Sequence, residues 1–442
     1  SMINKLDQFS INSSEGPGDY SPNLRFLLKY PKLYELYSNS LNIKDLPSVV
    51  SRNMYPPRVS DMNGVINLLH CYGWEESGFP TNWVENFNRY LDGMTVMSSQ
   101  VKKTMIDNGV SLPIKVSGLG VDHINKSLIN SNKVFDTKTF CFLHISSCFP
   151  RKGISILLNA YEKSFCIDDD VSLIIKTFRN THNNLDQILN TYRKNNNKFP
   201  HVLVIYDDLS DLEIQSLYNK CHCLVAPSFC EGFGLPLAEA MYMKLPVITT
   251  GWGGQIDFCS DQTSWLVDYK FSYTSTHFHL SSSTWAEPSV EHLASQMRKV
   301  YYLDEDQLRI KTEAAYKKIT SYTWDSVSDI NINFATYIKN YRRVSSPRIG
   351  VMTTFNSACG IANYTKSLFL SQQDYHVIFA PYDEELLEND EDNIYRCWDL
   401  NSSNFDKLLS QIISKKITTI VISFNFGFYD FKQLSDFLYK LF

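Results

Sequence analysis

Residues 228–240 constrain the fold more than any other part of the chain. They read SFCEGFGLPLAEA and follow a short apolar run at 223–226. Pro236 suits the first turn of a helix, where its missing N–H would have no intrahelical partner. Gly232 and Gly234 allow backbone N–H groups to come close to a ligand. Because the positive end of the following helix would face this loop, the sequence predicts a strand–loop–helix unit that binds an anion such as phosphate.

Two carboxylates flank this turn: Glu231 in the loop and Glu239 one turn into the helix. A ligand that carries both phosphate and hydroxyl groups, such as a nucleotide-sugar, would suit them. EGFGLPLAEA resembles the Glu–seven residues–Glu signature of retaining glycosyltransferases with the GT-B fold, and most resembles glycosyltransferase family four. In that family the first glutamate lies beside the donor sugar, the second binds the ribose, and loop amides hold the donor. The resemblance gives these roles to Glu231, to Glu239 and to the loop residues Gly232, Phe233, Gly234 and Leu235. The alternative is an ordinary helix-capping turn with two solvated acids.

The composition is that of a globular protein with room for two to three domains, since 43% of the 442 residues are hydrophobic and 20% are charged. A net charge of −5 without dense Lys/Arg runs gives no reason to expect nucleic acid as a partner. No apolar run approaches the ~20 residues of a membrane span, and no secretory signal opens the chain. The ten cysteines include no Cys-x-x-Cys pair, and the spacing around Cys221 and Cys223 does not fit a structural zinc site. We therefore expect buried free thiols in a reducing cytosol.

Short apolar runs alternate with helical segments, a pattern that predicts an α/β protein with parallel, doubly wound sheets. Gly118 and Gly120 lie in a turn that resembles the family's first crossing between two Rossmann-like domains. We therefore predict an N-terminal, acceptor-side domain at 1–120 that lacks its first strand–helix unit. A C-terminal, nucleotide-sugar-binding domain is predicted at 121–343, ending in a helix that crosses back to the first domain.

A second anion site is predicted after the strand at 139–145, where Arg151 and Lys152 open a helix. This segment resembles the family's donor-diphosphate motif, with Lys152 as the matching lysine. Many members carry an arginine further back, where this chain has Ser146 and Ser147, so Arg151 is the expected substitute. The predicted catalytic residues are Glu231, Lys152 and Arg151, and Ser147 joins the donor-binding set. A solvated lysine at a helix start is the alternative for Lys152.

Two more loops at the carboxyl ends of strands complete the predicted site. Gly253 and Gly254 resemble the family's Gly-Gly turn beside the donor sugar, although a bare turn would explain them as well. His70, Trp74 and Glu75 are predicted to line the acceptor side. The alternative there is a loop packed by Trp74 with solvated acids.

Residues 344–442 predict a further Rossmann-like segment, with a strand at 348–354, a loop at 356–364 and a helix at 365–370. It resembles the opening of a second glycosyltransferase's first domain. A piece of a longer, multi-catalytic polysaccharide enzyme would explain both this segment and the missing start of the first domain. The alternative is that the segment packs against the first domain and completes it.

The resemblance implies a retaining, hexosyltransferase-type enzyme that moves a sugar from a nucleotide-sugar to a saccharide or lipid-linked acceptor in surface polysaccharide, lipopolysaccharide or O-antigen synthesis. No cofactor beyond the donor is expected, and the sequence has no acid–Gly–acid motif for a metal. His277 and His279 lack a third ligand, so a solvated loop is expected there. The expected location is the cytoplasm or the inner face of the membrane; peripheral membrane association and a homo-oligomer stay open. The alternatives are a nucleotide-sugar epimerase and a non-catalytic binding or scaffolding module.

Overall fold

The structure is a computed structural model, and it describes Lys5, Ser10 and residues 24–40, 47–124, 135–276, 278–340, 348–369, 376–400, 404–425 and 427–441. Its described residues divide into two compact units. The first unit draws on residues 1–42, 51–61 and 68–336, and the second on residues 43–50, 62–67 and 337–442.

Two helices and a small sheet come first in the chain, and Pro31 is the first residue of the second helix, a position that suits proline. The sheet has the strand order β1-β2-β3-β4, and β2, β3 and β4 pair in parallel. The elements are α1 (Leu24–Lys29), α2 (Pro31–Ser40), β1 (Val49–Arg52), β2 (Ile66–Tyr72), α3 (Thr81–Tyr90), β3 (Gly93–Val96), α4 (Ser99–Asp107) and β4 (Ile114–Val116).

A six-stranded parallel sheet follows, as the alternation of strands and helices predicts. Its strand order is β10-β9-β8-β5-β6-β7. The central strand β5 is apolar on both faces because helices cover both sides; Phe142 and Leu143 are both fully buried and belong to different core clusters. The elements are β5 (Phe140–Ile145), α5 (Ile154–Ser164), β6 (Val171–Lys176), α6 (Leu185–Asn195), β7 (His201–Ile205), α7 (Asp211–Lys220), β8 (Cys223–Ala226), α8 (Leu235–Tyr242), β9 (Val247–Thr250) and β10 (Trp265–Val267).

An antiparallel pair, β11 (Tyr269–Tyr273) and β12 (Thr284–Pro288), follows β10 and was not predicted from the sequence. Three helices close the unit: α9 (Val290–Tyr302), α10 (Glu305–Ile319) and α11 (Trp324–Asn340). Helix α11 reaches the first sheet, where Asn331 accepts a hydrogen bond from Thr95 of β3 across 2.6 Å. Trp324 N donates to Asp122 Oδ1, and a Cβ on Gly120 would lie 2.3 Å from Trp324 N. The predicted crossing turn at 118–123 therefore lies directly against the start of α11.

The second unit contains a parallel sheet of order β15-β14-β13-β16. Its elements are β13 (Ile349–Met352), α12 (Gly360–Phe369), β14 (His376–Pro381), β15 (Ile394–Trp398), α13 (Asp406–Ser414), β16 (Thr419–Ile422) and α14 (Phe431–Leu441). The prediction of a loop at 356–364 is wrong in its second half, because α12 begins at Gly360 rather than at Thr365. The side chain of Glu384 accepts from Ser357 and pairs with Arg396 at 2.9 Å, which holds the shorter loop before α12.

Candidate functional site

The loop after β8 has the predicted strand–loop–helix geometry. Leu235 is the first residue of α8 and Pro236 lies in its first turn. Gly234 precedes the helix at φ 88°, a left-handed conformation that favours glycine, and no described side chain caps the helix. A Cβ on Gly232 would lie 3.2 Å from the backbone oxygen of Trp74, so a larger residue would push the two loops apart by a few tenths of an ångström. Among the first four residues of α8, Pro236 has no N–H and the N–H groups of Leu237 and Ala238 donate to Gly234 O, so the N–H of Leu235 is the one without a described partner that can meet an anion.

The loop after β5 packs closely against the loop after β8 and is hydrogen-bonded to it. Residues 150–152 form a single 3-10 turn, and Gly153 follows at φ 71°. A Cβ on Gly153 would lie 2.1 Å from the carbonyl oxygen of Pro227. Phe229 N donates to Arg151 O across 2.8 Å. These contacts explain why two segments almost eighty residues apart present their side chains to one place.

Lys152 and Glu231 form a buried ion pair at this junction. Lys152 Nζ donates to Glu231 Oε1 across 2.5 Å, and Ser228 Oγ donates to the same oxygen across 2.7 Å. Burial alone would raise the pKa of Glu231, but the charges of Lys152 and Arg151 outweigh burial and hold that pKa below its ordinary value. Glu231 is therefore an ionised hydrogen-bond acceptor at neutral pH and not a proton donor.

Arg151 connects Glu231 to a carboxylate of the loop after β2. Its guanidinium lies 2.8 Å from Glu75 Oε1 and 3.8 Å from Glu231 Oε2. Ser147 is half-buried, and its carbonyl accepts from Asn180 Nδ2. The second cation beside Glu231 is thus Arg151, which precedes helix α5, and not a residue at the end of β5.

The three residues predicted for the acceptor side occupy different environments. Glu75 reaches the charged cluster through Arg151. The prediction for Trp74 is corrected, because its side chain is only 3% exposed and lies in a cluster with Phe79 and Phe278 at ring distances of 4.8 Å. His70 lies inside β2 rather than in the loop after it, and its Nδ1 bonds with Ser51 Oγ at 2.8 Å. Among the described hydrogen bonds, none joins His70 to Arg151 or Glu75; Glu75 pairs with Arg151, and the charge of the neighbouring Glu76 also acts on Arg151.

Glu239 is held by two side chains that the sequence analysis did not identify. Tyr218 Oη donates to Glu239 Oε2 across 2.7 Å, and His123 Nε2 lies 3.0 Å from Oε1. The hydrogen bond to Glu239 raises the pKa of His123 above its ordinary value. His123 is the last residue of the crossing turn at 118–123, and its place in this motif was the signal in the sequence that could have found it.

The turn at Gly253 and Gly254 closes the site from the side of β9. Gly254 N donates to Glu231 O across 2.7 Å, and a Cβ on Gly254 would lie 2.0 Å from Gly232 O. Gln255 is fully buried; its amide donates to Thr250 O, but its Oε1 has no described partner. The turn therefore fixes the backbone of Glu231 and leaves a buried acceptor beside it.

His144 lies in β5, just before the loop that carries Arg151 and Lys152, and the sequence analysis did not identify it either. Val225 O is an acceptor 2.8 Å from His144 Nδ1, so Nδ1 carries the proton and Nε2 accepts from Ser146 Oγ at 2.7 Å. Ser146 Oγ in turn accepts from Cys148 N at 3.0 Å. Burial lowers the pKa of His144 to about 4, so a neutral imidazole fixes the start of the loop that ends in Lys152.

Within the described parts of the chain, no group of three His, Cys, Asp or Glu residues is placed to hold a metal ion. His277 falls outside the described residues, and the neighbouring His279 lies in an exposed irregular segment.

Eight of the ten cysteines are buried and all ten are free, as predicted. No described helix has the length and apolar character needed to cross a membrane.

Residues 125–275 match the family described as "Glycosyl transferases group 1". This segment contains Lys152, Glu231 and Glu239. The mannosyltransferase WbdA of Escherichia coli is 33% identical over 107 residues, which are 24% of this chain and 13% of that protein. CapM of Staphylococcus aureus, a capsular polysaccharide biosynthesis glycosyltransferase, is 24% identical over 184 residues, or 39% of this chain and 47% of that protein. The chain thus spans less than half the length of these relatives.

Two solved structures share the fold. A glycosyltransferase from Rickettsia africae superposes with a TM-score of 0.55 at 19% identity, covering 74% of this chain and 84% of that chain. A sucrose-phosphate synthase from Thermosynechococcus elongatus gives 0.52 at 16% identity, covering 74% and 82%. The GT-B fold class and the resemblance to glycosyltransferases predicted from the sequence are confirmed.

Proposed function

We propose that the chain transfers a sugar from a nucleotide-diphosphate sugar to a saccharide or lipid-linked saccharide acceptor, with retained configuration and without a metal. The observation that carries this proposal is the buried contact between Lys152 and Glu231 beside the uncapped amino end of α8. It lies within the segment that matches the group 1 glycosyl transferases. One place thus offers cations and backbone donors for a diphosphate and an ionised carboxylate for sugar hydroxyls.

Departure of the nucleoside diphosphate is the step at which negative charge develops, and prearranged positive groups lower its barrier. Lys152 and Arg151 are held at the carboxyl edge of the second sheet and have little freedom to reorganise, because both already pair with carboxylates. Together with the amino end of α8 they would neutralise the leaving diphosphate. In this assignment Glu75 orients Arg151 and is a positioning residue.

Glu231 would bind the donor sugar and not act as an acid. Its lowered pKa keeps it ionised, so it accepts hydrogen bonds from hydroxyl groups. Retention by the two-carboxylate route of a glycosidase needs a second carboxyl that acts as acid and base. We propose instead that the acceptor attacks from the face of the departing phosphate, whose oxygen takes the acceptor's proton. The acceptor oxygen–carbon bond then forms as the carbon–phosphate oxygen bond breaks.

Glu239 would bind the ribose of the donor. Its two oxygens are oriented by Tyr218 and His123, which leaves the carboxylate's remaining lone pairs to accept from ribose hydroxyls. The turn at Gly253 and Gly254 would then approach the donor sugar, since it holds the backbone of Glu231.

The similarity to a mannosyltransferase and to a capsular polysaccharide glycosyltransferase supports a role in surface polysaccharide synthesis. We propose that the chain acts at the cytoplasmic face of the cell membrane, where lipid-linked acceptors are available, and that it associates peripherally. The second unit has the parallel strand order of a Rossmann-like domain. We propose that it is part of the acceptor-side domain of a second glycosyltransferase. In this proposal residues 1–120 and 121–343 are the two domains of the first glycosyltransferase.

A product assay tests this function. The chain is incubated with UDP-, GDP-, dTDP- and ADP-sugars, mannose donors among them, and with short saccharide acceptors; products are identified by mass spectrometry and NMR. We expect an extended acceptor whose new linkage keeps the donor's anomeric configuration. An altered nucleotide-sugar without extended acceptor would indicate the epimerase, and an inverted linkage would contradict retention.

A further inference from the structure

Strand β11 presents an exposed row of aromatic side chains. Tyr269, Phe271 and Tyr273 alternate along the strand and are 38%, 58% and 74% exposed, respectively. Alternate residues of a strand point to the same face, and the strand rise places successive rings about 7 Å apart. The rings of Tyr269 and Phe271 meet edge to face at 5.4 Å. We call these three side chains the aromatic strip.

The strip begins at the candidate site. Phe271 contacts Trp252 at a ring distance of 5.7 Å, and Tyr269 Cε1 lies 3.7 Å from the position that a Cβ on Gly251 would occupy. Gly251 and Trp252 open the turn whose next residues hold the backbone of Glu231. A ligand that leaves the site over this turn therefore meets the aromatic strip next.

The hairpin beneath the strip is firmly anchored. Trp285 of β12 is buried, packs on Phe229 at 4.8 Å and donates from Nε1 to Ser272 Oγ. Ala286 N donates to Phe229 O, and Thr284 N donates to Ser77 Oγ across 2.7 Å. The hairpin thus buries its own anchor residues and exposes the strip on an ordered support.

The surroundings of the strip indicate the chemistry of its ligand. Two of the three rings, Tyr269 and Tyr273, carry hydroxyl groups, and Thr284 stands opposite Tyr273 on the same face, so polar groups border the rings; the ion pair of Lys270 and Glu287, at 3.6 Å, lies on the other face of the hairpin. An apolar protein partner is bound best by a contiguous apolar patch, which this is not. A saccharide fits better, because each pyranose has an apolar C–H face that stacks on a ring and a rim of hydroxyls that hydrogen-bond.

We propose that Tyr269, Phe271 and Tyr273 bind the saccharide chain of the acceptor outside the reaction centre, one sugar unit to a ring. This proposal rests on the proposed function, since it names a second binding site for the same acceptor. The strip would raise the affinity for long acceptors over short ones, because only a chain of several units reaches both Glu231 and Tyr273. It would thereby keep a growing polysaccharide attached between transfers.

Saccharide binding to the chain tests the strip directly. Manno-, gluco- and galacto-oligosaccharides of two, four, six and eight units are titrated by calorimetry, and nucleoside diphosphates are titrated into the same samples. For at least one series we expect affinity to rise with length in the wild type. Phe271→Ala combined with Tyr273→Ala should weaken binding of the longest member by about tenfold or more. Tyr302→Ala is the matched control, because Tyr302 is 77% exposed and outside the strip.

Two conservative variants separate stacking from general apolar contact and from misfolding. Phe271→Tyr keeps the flat ring and should bind long oligosaccharides as the wild type does. Phe271→Leu keeps an apolar side chain without the ring and should lose the length dependence. If affinity does not depend on length in the wild type, or is unchanged in the double variant, the strip is not a saccharide site. Failure of every nucleotide to bind, with the length dependence intact, would reject the proposed function and not the strip.

Discussion

Lys152 donates a hydrogen bond to Glu231 across 2.5 Å, although 79 positions of sequence separate the two residues. Their side chains are only 15% and 11% exposed, so each charge depends on the other for its solvation. Removing one partner from such a buried pair leaves an uncompensated charge and costs more than the net value of the pair.

The first prediction concerns this pair. Lys152→Met should lower the free energy of unfolding by roughly 3 kcal/mol, because the buried charge of Glu231 is then left with the hydrogen bond from Ser228 and the more distant charge of Arg151, 3.8 Å away. The double variant Lys152→Met/Glu231→Gln should recover most of that loss, which a double-mutant cycle in urea at pH 7 measures. Lys163→Met, which removes an exposed pair with Glu291, should have little effect. Strict additivity of the two single changes would contradict the coupling.

The second prediction concerns pH. The pKa of His144 is lowered from 6.5 to about 4 by burial, opposed by the hydrogen bond to Val225 O, with smaller effects of Lys152 and Glu231. As pH falls, the unfolded chain therefore takes up a proton at His144 before the folded chain does. The contribution of neutral His144 to the free energy of unfolding is complete above pH 6.5 and is lost as pH falls toward 4. The loss is on the order of 3 kcal/mol.

Urea denaturation between pH 4 and 7 measures this dependence. His144→Gln should be less stable at pH 7 but should show a flatter decline toward acid than the wild type. His279→Gln, at an exposed position, serves as the control and should follow the wild-type profile. If His144→Gln declines as steeply as the wild type, His144 is not the group responsible.

The third prediction concerns the contact between two loops. Gly254→Ala would place a Cβ 2.0 Å from Gly232 O, and backbone must move to relieve it. We expect a loss of about 1–3 kcal/mol in stability and a larger proportional loss of nucleotide binding, because the shift displaces Glu231. Gly251→Ala is the matched control, since its nearest neighbour would be 3.4 Å away. Equal nucleotide affinity in both variants would show that the turn does not support the site.

Much of the fold was predictable, because buried parallel strands are short apolar runs bounded by glycine and polar loops. Strand β8 matches the predicted apolar run at 223–226, and β5 begins one residue after the predicted start at 139. The hairpin was missed although Tyr269–Tyr273 alternates with period two, because ten residues of the chain, 274–283, separate this strand from its partner. Helix α12 was predicted to begin five residues late, because Gly360 was taken as part of a loop.

The site was predictable only in part. Local motifs predict which loops carry charge, and they led to Lys152, Arg151 and Glu231. They cannot predict partners that meet through tertiary packing: the pairing of Arg151 with Glu75 spans the two sheets, and Tyr218 reaches Glu239 from a separate helix. Trp74 was misassigned for the opposite reason, since an aromatic residue in a loop has the same sequence signature whether it binds a ligand or packs.

The most direct test of the account is calorimetric titration of UDP, GDP, dTDP and ADP into the wild type, Lys152→Gln and Lys163→Gln. Lys163 lies in α5, the helix that follows Lys152, and pairs with Glu291. Lys163→Gln therefore makes the same change of charge outside the site. We predict that one nucleotide class binds the wild type, that Lys152→Gln weakens it by about tenfold or more, and that Lys163→Gln does not. Equal affinity in the wild type and Lys152→Gln, or no binding of any nucleotide, would contradict the assignment of this site to a nucleotide-sugar.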